Sequence, residues 1–120
     1  MPTKYSPQAL ATFAKYPDFE KAVDRESKQL LKKPTDTESL ELYSLFKVGI
    51  DEDIKGEWGY PKGQPTFYSD IKGNRKWAAW NNQLKAGTTP EEARERYLAL
   101  VETLKEKYGF DANKDPNATS

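Results

Sequence analysis

Thr88-Thr89-Pro90-Glu91-Glu92 is the strongest local signal in the chain and constrains the fold more than any other stretch. Thr89 carries the side-chain oxygen of an N-cap, Pro90 suits a first helical position whose N–H has no partner anyway, and Glu92 stands third. Ala93, Tyr97, Leu100, Val101, Leu104 and Tyr108 then follow at spacings of four, three, one, three and four, and Gly109 supplies the stop. A helix with a one-sided apolar stripe gains most of its stability by burying that stripe. The rest of the sequence must therefore supply partner faces, and the punctuation shows where they are.

Residues 1–5 read as a loose lead-in. Ser6-Pro7 then fits an N-cap and first helical residue, and Ala9, Leu10, Phe13 and Ala14 share one face. Pro17 should end or kink that helix near Tyr16, because proline clashes with the preceding turn and lacks a donor. A second helical run is expected from about Asp18 to Lys32, with Phe19, Ala22, Val23, Leu30 and Leu31 apolar, closed by Pro34. Thr35-Asp36-Thr37-Glu38 has capping-box spacing and starts a helix running to about Val48. Asp70 can cap a shorter helix over roughly Lys72 to Leu84, in which Trp77 and Trp80 share a face and read as core. The sum is an all-α chain with four main helices and an extra N-terminal one.

Between Gly49 and Ser69 the periodicity vanishes. Six Gly and Pro residues punctuate a segment that also holds Trp58, Tyr60, Phe67 and Tyr68. A loop of this length is uncommon in a compact domain and is often functional; equally, its aromatics can pin an overhang to the helices. Beyond Asp111 alanine is the only apolar residue, so the tail is expected to be disordered. Asn117-Ala118-Thr119 has the glycosylation pattern, which reads as chance without a signal peptide.

Composition removes whole classes of chemistry. There is no Cys and no His, which excludes thiol chemistry, the commonest general base and any His/Cys zinc site. Lys plus Arg equals Asp plus Glu at 19 each, so the molecule as a whole offers no basic field for nucleic acid. No stretch approaches a membrane span and the start lacks an apolar signal core, so the cytosol is the expected compartment. There is no phosphate-binding glycine loop and no nucleophile elbow. The acidic pairs Asp51/Asp53 and Glu91/Glu92 fit solvated and helix-capping roles better than an acid–base dyad. Asp51-Glu52-Asp53 lacks the distal carboxylate of a calcium loop. An enzyme is therefore disfavoured, and no cofactor is expected.

What remains is tyrosines and lysines on helical faces: Lys28, Tyr43, Lys47, Lys72, Lys76 and Tyr97. Tyr43 and Lys47 stand four apart within Leu40-Glu41-Leu42-Tyr43-Ser44-Leu45-Phe46-Lys47 and so share a face. Such a pair is compatible with a snorkelling lysine at a core edge and with one wall of a site for an anionic, aromatic-containing ligand. Spacing alone does not bring Lys76 or Tyr97 beside it.

The ordered combination of Leu31-Lys32-Lys33-Pro34, Leu40 to Lys47, Lys76-Trp77-Ala78-Ala79-Trp80-Asn81 and Tyr97-Leu98-Ala99-Leu100-Val101, closing on Tyr108-Gly109, resembles the acyl-CoA-binding protein family. The resemblance covers roughly 18–109, leaving an N-terminal extension, 1–17, and a tail, 110–120. It implies a four-helix up-down-down-up bundle that binds long-chain acyl-CoA without cofactor, as a cytosolic pool-former and carrier, with at most transient membrane contact and as a monomer. Carried over by position, Tyr43, Lys47 and Lys76 would hold the nucleotide 3′-phosphate. Phe46 and Tyr97 would sit at the adenine with Lys28 nearby, Lys72 would lie along the pantetheine and acyl path, and Leu40 would line the acyl groove. Lys47 and Lys76 are both expected at the surface. Three departures accompany the match: Phe46 stands where relatives usually have Tyr; Val48-Gly49-Ile50-Asp51 replaces their usual Gln-Ala-Thr-x-Gly-Asp, with a longer loop to Lys76; and the first helix carries an additional N-terminal segment. The competing class is a helical protein-interaction module without CoA recognition; an acyl-CoA hydrolase would need a nucleophile–base pair that the sequence does not offer.

Overall fold

A computed structural model describes residues 5–116. Five α-helices account for most of it: α1 (Pro7–Lys15), α2 (Pro17–Asp24), α3 (Asp36–Gly49), α4 (Ile71–Lys85) and α5 (Pro90–Tyr108). The caps read from sequence are made. Ser6, Thr35, Asp70 and Thr89 each accept from a main-chain N–H three residues on, and at Thr35 the Glu38 carboxylate bonds back to complete the box.

The helices assemble around α3 and α5. α3 packs on both α4 and α5, α2 on α5, and α1 on α2. Trp80, Phe19, Leu45, Ile50, Val101 and Leu104 are the fully buried apolar anchors where these faces meet. Trp80 is buried as expected of the Trp pair, while Trp77 is half-buried. The stripe of α5 divides similarly: Ala93, Tyr97, Val101 and Leu104 are buried, and Leu100 and Tyr108 pack at the margin.

Two expectations are corrected. The second helical run stops at Asp24 rather than near Lys32, and only a short 3-10 turn, Glu26–Lys28, follows. The Ser27 hydroxyl donates to the Val23 carbonyl, a local bond that competes with continuation of the helix. Leu30 instead pairs with Phe110 in an isolated antiparallel bridge, and the Leu31 N–H donates to the Gly109 carbonyl. Glycine is required at 109 by its backbone, whose φ of 82° lies in the region that L side chains rarely adopt.

The second correction follows from the first. Residues 110–116 are not a structureless tail, because polar bonds rather than apolar burial hold them. Buried Gln29 donates through Nε2 to the carbonyls of Ala112 and Lys114, both at 3.0 Å, and accepts from the Asp111 N–H at its own carbonyl. Lys114 Nζ returns a bond to the Leu30 carbonyl. Asn117 and the rest of the expected tail, like residues 1–4 of the expected lead-in, lie outside the described residues.

Candidate functional site

Tyr43 sits where two grooves meet. One, of about 440 Å³, is lined by Tyr5, Val23, Ser27, Lys28, Lys33, Pro34, Ser39, Leu42, Tyr43, Phe46 and Tyr97. The other, of about 170 Å³, is lined by Asp36, Ser39, Leu40, Tyr43, Lys72, Arg75 and Lys76. Ser39 and Tyr43 border both. All the residues singled out from sequence except Lys47 thus line one groove or the other.

Lys47 joins them from beneath. Its ammonium lies 5.9 Å from the Tyr43 centroid, 5.7 Å from Phe46 and 5.4 Å from Trp80. Lys76 approaches the same Tyr43 ring from α4, at 4.9 Å. Two cations therefore converge on one phenol, each at a distance where the ring quadrupole attracts it. The expectation that both are surface lysines holds for Lys76 and fails for Lys47, which is half-buried. The 49–69 loop covers it: Nζ donates to the main-chain carbonyl of Trp58 at 3.2 Å. Burial pulls the Lys47 ammonium below the ordinary lysine range; Glu52 opposes that shift and Lys76 adds to it.

The loop thus has two halves with different roles. Its first half is a prop: the Tyr60 and Tyr43 hydroxyls are 3.1 Å apart, and Tyr60 meets the buried Trp80 edge-on. Its second half leaves aromatic surface outside, with Tyr68 98% exposed and Phe67 beside it.

The phenols of the site are kept neutral. Burial raises Tyr43 well above the ordinary tyrosine range, and the hydrogen bond with Tyr60 adds to this. Burial likewise pushes Tyr97 up to about 12, against an opposing hydrogen bond with Ser27. Neutral hydroxyls beside ammonium groups can donate to an anion.

The two rings expected at a base are less open than the motif alone suggests. Phe46 is half-buried among Tyr5, Phe13 and Phe19, with centroids 6.2, 6.3 and 6.4 Å away. Tyr97 is 4% exposed and meets Phe19 edge-on. Leu40 is half-buried and also lines a third depression, with Ala78 and Ala79 of α4. Lys72 and Lys76 are exposed.

Residues 16–101 match the family described as "Acyl CoA binding protein". The chain belongs to the acyl-CoA-binding protein family. It is 39% identical over 82 residues to a Caenorhabditis elegans protein named "Acyl-CoA-binding protein homolog 1", covering 68% of this chain and 85% of that one. It is 40% identical over 84 residues to a Drosophila melanogaster "Acyl-CoA-binding protein homolog", covering 68% and 84%.

Within the family's span the site draws on α2, the 3-10 turn, α3, α4 and α5. Tyr5 and all of α1 lie outside it. Sequence reasoning passed over Tyr5, Lys33 and Arg75, and named Tyr60 only as one of the loop aromatics able to pin the overhang. Lys33 stood in the quoted Lys-Lys-Pro run and Arg75 precedes Lys76, so both had a local signal; Tyr5 had none, since long-range folding places it. A further cavity, about 510 Å³ among Lys15, Tyr16, Arg94 and Glu95, lies apart from the site and mixes both signs of charge.

Proposed function

We propose that the chain binds long-chain acyl-CoA thioesters non-covalently, and that it pools and carries them in the cytoplasm as a monomer without cofactor. The observation that carries this reading is the meeting of a cationic, aromatic-walled groove with a second groove at Tyr43, in a chain of this family. In this reading Tyr43, Lys47 and Lys76 hold the nucleotide 3′-phosphate. Phe46 and Tyr97 stand at the adenine with Lys28 nearby, Lys72 follows the pantetheine and acyl path, and Leu40 lines the acyl groove.

The residue types suit each part of such a ligand. A lysine-to-phosphate bond is charge-assisted and contributes about 1.5–3 kcal/mol net. A flexible phosphate is met by point-charge ammonium groups, which do not demand the fixed fork geometry of arginine. The tail adds about 0.8 kcal/mol per buried methylene, so roughly fourteen give up to about 11 kcal/mol before ordering costs. The head confers identity and the tail sets affinity. No step of covalent chemistry is assigned, and the thioester should survive incubation with the protein.

Titration calorimetry tests the reading with palmitoyl-CoA, CoA and palmitate. Affinity should fall in that order; equal affinity for palmitoyl-CoA and palmitate would remove it. Among the described residues no helix is long and apolar enough to cross a membrane.

A further inference from the structure

The segment entering α1 lies outside the residues that match the family, yet it reaches the groove. Tyr5 lines the groove together with Lys28, Lys33, Tyr43, Phe46 and Tyr97. Three contacts fix its ring. It meets Phe13 edge-on at 5.1 Å and Phe46 at 6.2 Å, and its hydroxyl donates to Asp24 Oδ1 at 3.0 Å. Lys28 Nζ stands 6.0 Å from the ring centroid. Behind it, buried Ala9 and Phe13 anchor α1 in the core.

Tyr5 therefore stands where the aromatic surface of the family site is otherwise taken up. Phe46 faces Tyr5, Phe13 and Phe19, and Tyr97 is buried. Tyr5 itself is half-buried, with part of its ring open to the groove. A purine needs a flat or edge-on aromatic partner, and its phosphates need a cation close by. Tyr5 and Lys28 present both on one wall.

We infer that Tyr5 is a ligand-contact residue of this chain, its ring standing against the purine base of the CoA nucleotide, so that this residue ahead of α1 forms part of the wall of the nucleotide end. The inference rests on the acyl-CoA reading above. Stacking on an aromatic ring is tolerant of base identity. Tyr5 accordingly confers preference for thioesters that carry a nucleotide over those that lack one.

The test titrates the full chain with dodecanoyl-CoA and with S-dodecanoyl-pantetheine, as wild type, Tyr5→Ala and Tyr5→Phe. Tyr5→Ala should weaken dodecanoyl-CoA about three- to tenfold, the range of one aromatic pair, and leave the pantetheine thioester within about twofold. Tyr5→Phe loses the Asp24 bond, keeps the ring and should stay close to wild type with both ligands. In the wild-type complex, nuclear Overhauser contacts should join the Tyr5 ring to purine protons, a readout independent of how any variant folds. Equal weakening of both thioesters by Tyr5→Ala marks a structural role and overturns the inference, as does unchanged affinity or the absence of those contacts. If the wild type itself fails to prefer the CoA thioester, the underlying nucleotide site is wrong and the inference falls with it.

Discussion

The ammonium of Lys76, on α4, lies 4.9 Å from the centroid of the Tyr43 ring, on α3. The two residues are far apart in sequence, and it is the packing of α4 on α3 that brings them together. With Lys47 on the other approach, two cations stand beside one neutral phenol, and in the proposed reading a dianionic phosphate would meet all three.

Lys76→Ala should therefore weaken palmitoyl-CoA by roughly 10- to 150-fold, the equivalent of one charge-assisted bond. Its thermal midpoint should stay near that of the wild type, because Lys76 is exposed. Calorimetric titration beside a melting curve checks both, and full affinity in the variant would show that the phosphate lies elsewhere.

Lys47→Ala should behave differently. Its ammonium bonds the Trp58 carbonyl and is half-buried, so truncation loosens the loop as well as the site. A loss of about 1–3 kcal/mol in urea unfolding is expected in addition to weaker binding. A variant as stable as wild type would mean that the loop does not depend on this bond.

Glu38 gives the fold an acid-sensitive tie. Hydrogen bonds from Lys107, Tyr108 and the Thr35 main chain lower its carboxyl from the ordinary 4.5 to about 2. Its contribution is complete above 4.5, where both states are ionised, and is lost as pH falls towards 2, where the unfolded chain takes up the proton first. Glu38→Gln should thus be less stable than wild type at neutral pH and show a shallower loss of stability across that acid window. Parallel slopes in urea titrations at stepped pH would count against this assignment.

Gln29 tests the docked segment 110–116. Gln29→Ala removes two donors to the Ala112 and Lys114 carbonyls and should cost about 1–3 kcal/mol. Hydrogen exchange should quicken at Leu31 and Asp111, whose amides bond across this junction. Acyl-CoA affinity should change little, since Gln29 lines neither groove. Unaltered exchange at both amides would show that other contacts hold the segment.

The helices were legible because their ends are local chemistry. Thr89-Pro90-Glu92, Thr35 to Glu38 and Ser6-Pro7 each specify a start within four residues, and the structure makes each of those caps. What escaped reading depends on partners distant in sequence. The helical run after Asp18 looked continuous because nothing near Leu30 announces its pairing with Phe110. Lys47 looked like a surface lysine because the loop that covers it has no periodicity. Tyr5 looked like part of a loose lead-in because its contacts, Asp24 and Phe46, belong to other elements. The candidate site was legible as residue types along helices; its convergence at Tyr43 is a property of the packing of α3 on α4.

The central claim is that Tyr43, Lys47 and Lys76 recognise the 3′-phosphate of an acyl-CoA. The most direct measurement is a calorimetric comparison of palmitoyl-CoA with its 3′-dephospho form on the wild-type chain. Loss of that phosphate should weaken binding by at least about tenfold, with the tail's contribution intact. Equal affinity for the two would contradict the account.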